Sequence, residues 1–122
     1  LFTCNVALSF TAPAADIRKS YVNGHESEEG GTHVEGVLTG AKKALRQILV
    51  PYGNLLTAEQ LIKYMNYAVH IQLKNPRWCG NTRRRLKNIE VKQVIRRQVE
   101  LQLYQFLKQD IQPIKSIYPG LF

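Results

Sequence analysis

Three consecutive arginines, Arg83, Arg84 and Arg85, follow Gly80, Asn81 and Thr82 in a chain of 122 residues. Guanidiniums this close together bind anions. A nucleotide phosphate, a nucleic-acid backbone and an acidic protein surface are the candidates, with a plain solvated loop charge as the alternative. The other reactive side chains do not assemble into a site. His33 follows Gly30, Gly31 and Thr32, but no nucleophile and carboxylate accompany it, so it reads as a packing or hydrogen-bonding group at a helix start. His70 alternates within a strand pattern and reads as structural, and His25 lies in an acidic loop without an argued role. Cys4 and Cys79 have no CxxC and no metal-ligand spacing to a histidine, and read as free thiols in a reducing cytosol. Gly30-Gly31 lacks the spacing and the lysine of a phosphate-binding glycine loop, and reads as backbone freedom before a tight helix start. Trp78 can stack on a base, but an anchor that pins the basic loop to the core is the preferred reading. No catalytic residue and no metal site are expected.

The charge is as localised as the arginines suggest. Residues before Arg77 carry seven Lys and Arg against six acidic side chains, whereas residues 77–97 carry eight against Glu90 alone. Nearly all of the formal net charge of +8 therefore sits in one stretch, which favours a directed electrostatic role over general solubility. The length fits one domain with one modest core. No apolar run approaches the roughly 20 residues that span a bilayer. The chain opens without Met, directly in a strand pattern and without a secretory signal, and reads as a piece of a longer protein.

The elements that must position the arginines follow from periodicity. Phe2, Cys4, Val6, Leu8 and Phe10 alternate with polar or small residues, the period of a half-buried antiparallel strand. "TAPAAD" turns the chain and "IRKSYVN" is a second strand, with a connection short enough for a hairpin. "GHESEEGG" reads as an acidic loop. "THVE" fits a capping box, with Thr32 as cap and Glu35 reaching back. Val34, Val37, Leu38, Ala41, Leu45, Ile48 and Leu49 then form a helical stripe, opposite Lys42, Lys43, Arg46 and Gln47, until Pro51 and Gly53 stop it. "TAEQLIKYM" is a short helix capped by Thr57. "YAVHIQL" is a strand with Tyr67, Val69, Ile71 and Leu73 on one side. The basic loop occupies residues 74–88. A long helix starts near Asn88 or Ile89 and runs to about Lys108, with Val91, Ile95, Val99, Leu103, Phe106 and Leu107 on its core face. Residues 109–122 read as a C-terminal extension. The order predicts an α+β domain over 1–122, with helices on one face of a sheet.

With the elements placed, "EEGGTHVEGVLTGAKKAL" and "VHIQLKNPRWCGNTRRRLKNIEV", in that order behind "NVALSF", resemble the transducer domain of type IIA DNA topoisomerases. This is the second domain of the ATPase half of the B subunits of bacterial DNA gyrase and topoisomerase IV. The resemblance covers most of residues 4–107. It implies a fold like domain two of ribosomal protein S-five, an antiparallel-rich sheet with helices on one face and a left-handed βαβ unit. It also implies a coupling role, in which ATP binding by a preceding GHKL domain closes a dimer gate around DNA. ATP and Mg2+ would be bound mainly by that other domain. DNA, the upstream ATP-binding domain and the topoisomerase A (cleavage) subunit would be partners, in the bacterial cytoplasm at the nucleoid and away from any membrane.

In the family a Gln-Thr-Lys loop reaches the neighbouring domain and its lysine meets the γ-phosphate. The resemblance carries that role to Asn81, Thr82 and Arg83, the ATP phosphate-sensing loop here. Asn81 is one methylene shorter than Gln. Arg83 keeps the lysine's charge but presents a planar fork. Val37 and Leu38 stand where relatives often have an aromatic and a basic residue, so the chain is a divergent member. The candidates for DNA contact are Arg84, Arg85, Lys42, Lys43, Arg46, Arg96 and Arg97. Because its partner would lie on another domain, the segment 79–87 is expected to have nothing to hold it. The alternative from a different class is a stand-alone basic nucleic-acid-binding module without ATPase coupling.

Overall fold

The computed structural model describes residues 2–53, 56–80 and 83–118. The described elements are β1 (Phe2–Phe10), β2 (Arg18–Val22), β3 (His25–Glu26), α1 (Thr32–Leu49), a 3-10 turn (Val50–Tyr52), α2 (Ala58–Ile62), β4 (Met65–Leu73), α3 (Ile89–Gln109) and α4 (Gln112–Lys115). The strands form one mixed sheet in the order β1-β4-β2-β3. Two ladders are antiparallel and the β2–β4 ladder is parallel. The domain is thus α+β, and β2, the helices α1 and α2, and β4 make its βαβ unit.

β1 and β4 pair along their whole length, from Phe2 opposite Leu73 to Phe10 opposite Met65, and the alternation read from them holds except at the exposed Val6 and the buried Asn66. Val22, Val69 and Ile71 are buried on one face, while Thr3, Asn5, Lys19 and Gln72 are exposed on the other. The expected β1–β2 hairpin does not form, because β4 lies between the two strands. β4 carries the most apolar inner face and takes an interior position. The link 11–17 needs to cross only about 10 Å, two strand spacings, which seven residues reach easily. The buried Asn66 ties this crossing down. Its Nδ2 donates to Ser9 Oγ (3.2 Å) and Thr11 Oγ1 (3.0 Å), and its Oδ1 accepts the Ile17 N–H (3.1 Å).

"GHESEEGG" is not wholly a loop. Asn23 and Gly24 both have positive φ (52° and 83°), the requirement of a tight Asn-Gly hairpin turn, and His25–Glu26 returns along β2. Nor does Thr32 cap α1. Gly31 holds the cap position without a side-chain bond, and Thr32 Oγ1 is buried with no partner among the described residues. The capping-box geometry fails because Gly31 and Thr32 are engaged by the basic segment and Glu35 faces Arg85. At α2 the corresponding box is complete. Thr57 Oγ1 accepts the Gln60 N–H (3.2 Å) and Gln60 Oε1 accepts the Thr57 N–H (2.8 Å).

α1 and α3 form the largest helix contact, and small residues set their separation. A Cβ built on Gly36 would lie 2.8 Å from the Lys92 carbonyl oxygen, and one on Gly40 would lie 2.6 Å from that of Arg96. The core face of α3 is as read, with Val91, Ile95, Val99, Leu103 and Leu107 buried, except that Phe106 is 54% exposed. It borders a groove of about 490 Å³ between β1, α3 and Pro113 and does not enter the core. The C-terminal extension contains α4, which inserts the fully buried Ile114.

Candidate functional site: the basic segment on the helix α1 start

The basic segment is laid against residues 27–35, and Leu86 is the plug that holds it. Its side chain is 1% exposed. Its N–H donates to the Gly30 carbonyl (3.1 Å) and its carbonyl accepts the Thr32 N–H (3.1 Å). Two residues earlier, the Glu29 N–H donates to the Arg84 carbonyl (2.9 Å). On the other side, Trp78 bridges to Leu86, the Cys79 N–H donates to the Arg85 carbonyl (2.9 Å) and the Lys87 N–H to that of Arg77 (2.9 Å). Residues 84–87 are thus a short strand-like piece between two neighbours. For Cys79 and residues 84–87 this corrects the expectation that nothing holds the segment: the apolar residue within the basic run is what anchors it. Trp78 packs partly buried against the core, as the anchor reading required.

Gly31 makes the close approach possible. Its φ of 134° and ψ of −161° belong to a region essentially restricted to glycine, and a Cβ there would sit 2.4 Å from both the Leu86 nitrogen and oxygen. At the far end, the buried Asn88 accepts the Arg77 N–H on Oδ1 (2.7 Å) and donates to Glu90 Oε2 (3.2 Å). The bond from its own backbone, with Asn88 and Arg77 beside it, holds the Glu90 carboxyl below the usual carboxylate range.

The arginines divide on this scaffold. Arg84 Nε lies 3.6 Å from Glu28 Oε2 and Arg85 Nη2 lies 3.3 Å from Glu35 Oε1. Arg83 is exposed, has a positive φ of 55°, and has no ion-pair partner among the described residues. Asn81 and Thr82 lie outside the described residues. Of the other cations singled out, Arg46 pairs with Glu59 (2.6 Å), drawing that carboxyl's pKa down, and Arg96 pairs with Glu100 (3.1 Å). Lys42, Lys43 and Arg97 have no such partner among the described residues. Sequence reasoning missed Glu28, Glu35 and Leu86; only Gly30 and Gly31 signalled that something approaches there closely.

His33 is the other side chain of a type that does chemistry, and its surroundings argue for structure. It is fully buried. Ser20 Oγ donates to the Ser27 carbonyl (2.9 Å) and Ser27 Oγ to Ser20 Oγ (2.7 Å). This proton count leaves His33 Nε2–H as the donor to Ser27 Oγ at 3.0 Å. Nδ1 has no partner among the described residues, so no carboxylate orients the ring as a base requires. Burial lowers its pKa to about 4. The unfolded chain takes up this proton near pH 6.5 and the folded chain only near 4. Stability is therefore lost as pH falls through that window, by roughly 3 kcal/mol in full. Urea titrations from pH 7 to 4 should show this loss in the parent and a smaller one in His33→Gln.

Among the described residues no group of three or more His, Cys, Asp and Glu stands together as a metal site. No helix there is long and apolar enough to cross a membrane. The exposed guanidinium of Arg83, with no ion-pair partner among the described residues, has the charge to meet an anionic oxygen and not a metal ion.

A family model described as DNA gyrase B matches residues 2–120. The mitochondrial DNA gyrase B protein of Arabidopsis thaliana is 28% identical over 122 residues, spanning 94% of this chain and 17% of that protein. The DNA gyrase B protein of Treponema denticola is 25% identical, over 93% of this chain and 19% of that protein. The chain thus spans under a fifth of the length of these relatives. In fold it is similar to the topoisomerase IV ATP binding domain of Francisella tularensis, solved with a small-molecule inhibitor (TM-score 0.84, 23% identity, 98% of this chain and 34% of that one). It is likewise similar to the 43K ATPase domain of Thermus thermophilus gyrase B, solved with an aminocoumarin (TM-score 0.77, 21% identity, the same coverages). Matched from its first strand to beyond α4, the chain belongs to the DNA gyrase B family.

Proposed function

We propose that this chain is the coupling domain of an ATP-dependent type IIA topoisomerase B subunit, with no active site of its own. It links ATP binding and dimer closure in a neighbouring GHKL domain to DNA strand passage by an A subunit. The observation that carries the reading is the state of Arg83, an exposed guanidinium with no ion-pair partner among the described residues, at the edge of a segment whose backbone is fixed to the start of α1. A group presented this way suits a terminal phosphate held by another domain, because the backbone that follows it is already fixed by the scaffold. ATP, with Mg2+, is then the ligand of the neighbouring domain, and Asn81 and Thr82 complete the sensing loop. The bacterial cytoplasm, at the nucleoid, is where such a protein works. The stand-alone nucleic-acid-binding alternative is less well supported, since four of its seven candidate cations already face carboxylates.

The test exchanges residues 81–83 in the B subunit that carries this chain. Gln-Thr-Lys should preserve dimerisation driven by a non-hydrolysable ATP analogue, read by light scattering, and Gly-Ser-Ser should abolish it. Equal dimerisation of both exchanges would reject the coupling reading.

A further inference from the structure

Arg83, Arg84 and Arg85 are chemically identical, yet among the described residues two of them face a carboxylate and one does not. We infer that Glu28 and Glu35 are specificity-determining residues of the basic segment. By holding Arg84 and Arg85 they leave Arg83 as its uncommitted guanidinium, so that the segment meets one phosphate group and not the phosphate ladder of a duplex. The inference rests on the phosphate-sensing reading of Arg83 given above.

The geometry supports the division at two levels. Both ion pairs are half exposed, with side chains between 40% and 63% accessible, and exposed pairs are individually weak. What keeps them registered is the backbone. The Arg84 carbonyl is fixed by the Glu29 N–H, next to Glu28, and Leu86 is fixed on both sides by Gly30 and Thr32, one turn of α1 below Glu35. The arginines therefore emerge opposite their carboxylates without any loop having to order. A phosphate approaching Arg84 or Arg85 competes with a carboxylate already within 4 Å of the same guanidinium and is repelled by it. Glu29 adds negative charge on that side. Arg83, the residue before this zipped stretch, is the one of the three without such competition among the described residues.

The test measures duplex DNA binding by the nucleotide-free B subunit as a function of salt. Glu28→Gln with Glu35→Gln should tighten binding about tenfold at low salt and steepen the log–log salt slope by up to about two, as two more phosphates are neutralised. Asp16→Asn with Asp110→Asn makes the same change in net charge at carboxylates that pair with no arginine among the described residues. It should shift affinity by less than about threefold and leave the slope in place. Adding Arg84→Ser and Arg85→Ser to the Glu pair should return the slope to that of the parent. Equal effects of the Glu and Asp pairs, or a steep slope that survives loss of Arg84 and Arg85, would overturn the inference. Nucleotide-driven dimerisation reads the other claim separately. If Arg83→Ala leaves it intact while the slopes behave as stated, the phosphate-sensing reading fails and the restraint of Arg84 and Arg85 stands without it.

Discussion

Replacing Gly31 by alanine should destabilise the domain by roughly 3–5 kcal/mol, close to the whole stability of a small domain. Two costs add at this position. The backbone sits where a Cβ is strained in any surroundings, at φ 134° and ψ −161°. The new methyl would also lie 2.4 Å from main-chain atoms of Leu86 that are already committed to Gly30 and Thr32. Because the clash is with backbone nitrogen and oxygen, truncating the Leu86 side chain cannot relieve it, and Gly31→Ala with Leu86→Ala should be less stable than either single variant. Gly24→Ala is the comparison. It shares a positive φ, 83°, but nothing lies within 4 Å of its added methyl, so about 1–2 kcal/mol is expected. Denaturant midpoints of the four variants decide the matter. Similar midpoints for Gly31→Ala and Gly24→Ala would show that the basic segment does not press on α1 as described.

The same contact marks the limit of what the sequence makes legible. Local patterns translate directly: the alternation of β1 and β4, the stripe of α1, its stop at Pro51 and Gly53, and the Thr57 box each depend on neighbours within a few positions. The Asn23-Gly24 turn is equally local, but it borders an acidic run that reads as loop. Partner choice is not local. That β4 and not β2 pairs with β1 follows from which strand has the most apolar inner face to bury. The fixed basic segment depends on Leu86 meeting Gly31, 55 positions away, and a leucine between charged residues gives no sign of where it will dock. For the same reason the three arginines look alike in sequence. The carboxylates that separate them, Glu28 and Glu35, arrive through that docking. Thr32 and Glu35 have the spacing of a cap, but tertiary contacts take both.

Arg83→Ala should weaken nucleotide-driven dimerisation of the B subunit by roughly 10- to 100-fold. A hydrogen bond to a charged group contributes about 1.5–3 kcal/mol, and here it would be lost entirely. Arg83→Lys should recover most of it, because a single positive charge at the right place suffices for one phosphate oxygen. Folding stability should be unchanged in both, since Arg83 is exposed and touches no carboxylate among the described residues. That combination separates a contact across domains from a structural role. A variant that lost dimerisation together with stability would point to the scaffold and not to the charge. Arg84→Ala and Arg85→Ala should reduce dimerisation by less than about threefold, as each is turned toward Glu28 or Glu35.

The coupling role comes down to one contact between Arg83 and a terminal phosphate, and a contact is read as a distance. In a structure of the B subunit with a non-hydrolysable ATP analogue, a guanidinium nitrogen of Arg83 should lie about 2.7–2.9 Å from an oxygen of the terminal phosphate, with Arg84 and Arg85 still facing Glu28 and Glu35. An Arg83 side chain more than about 6 Å from that phosphate, or one displaced from it by Arg84 or Arg85, would contradict the account.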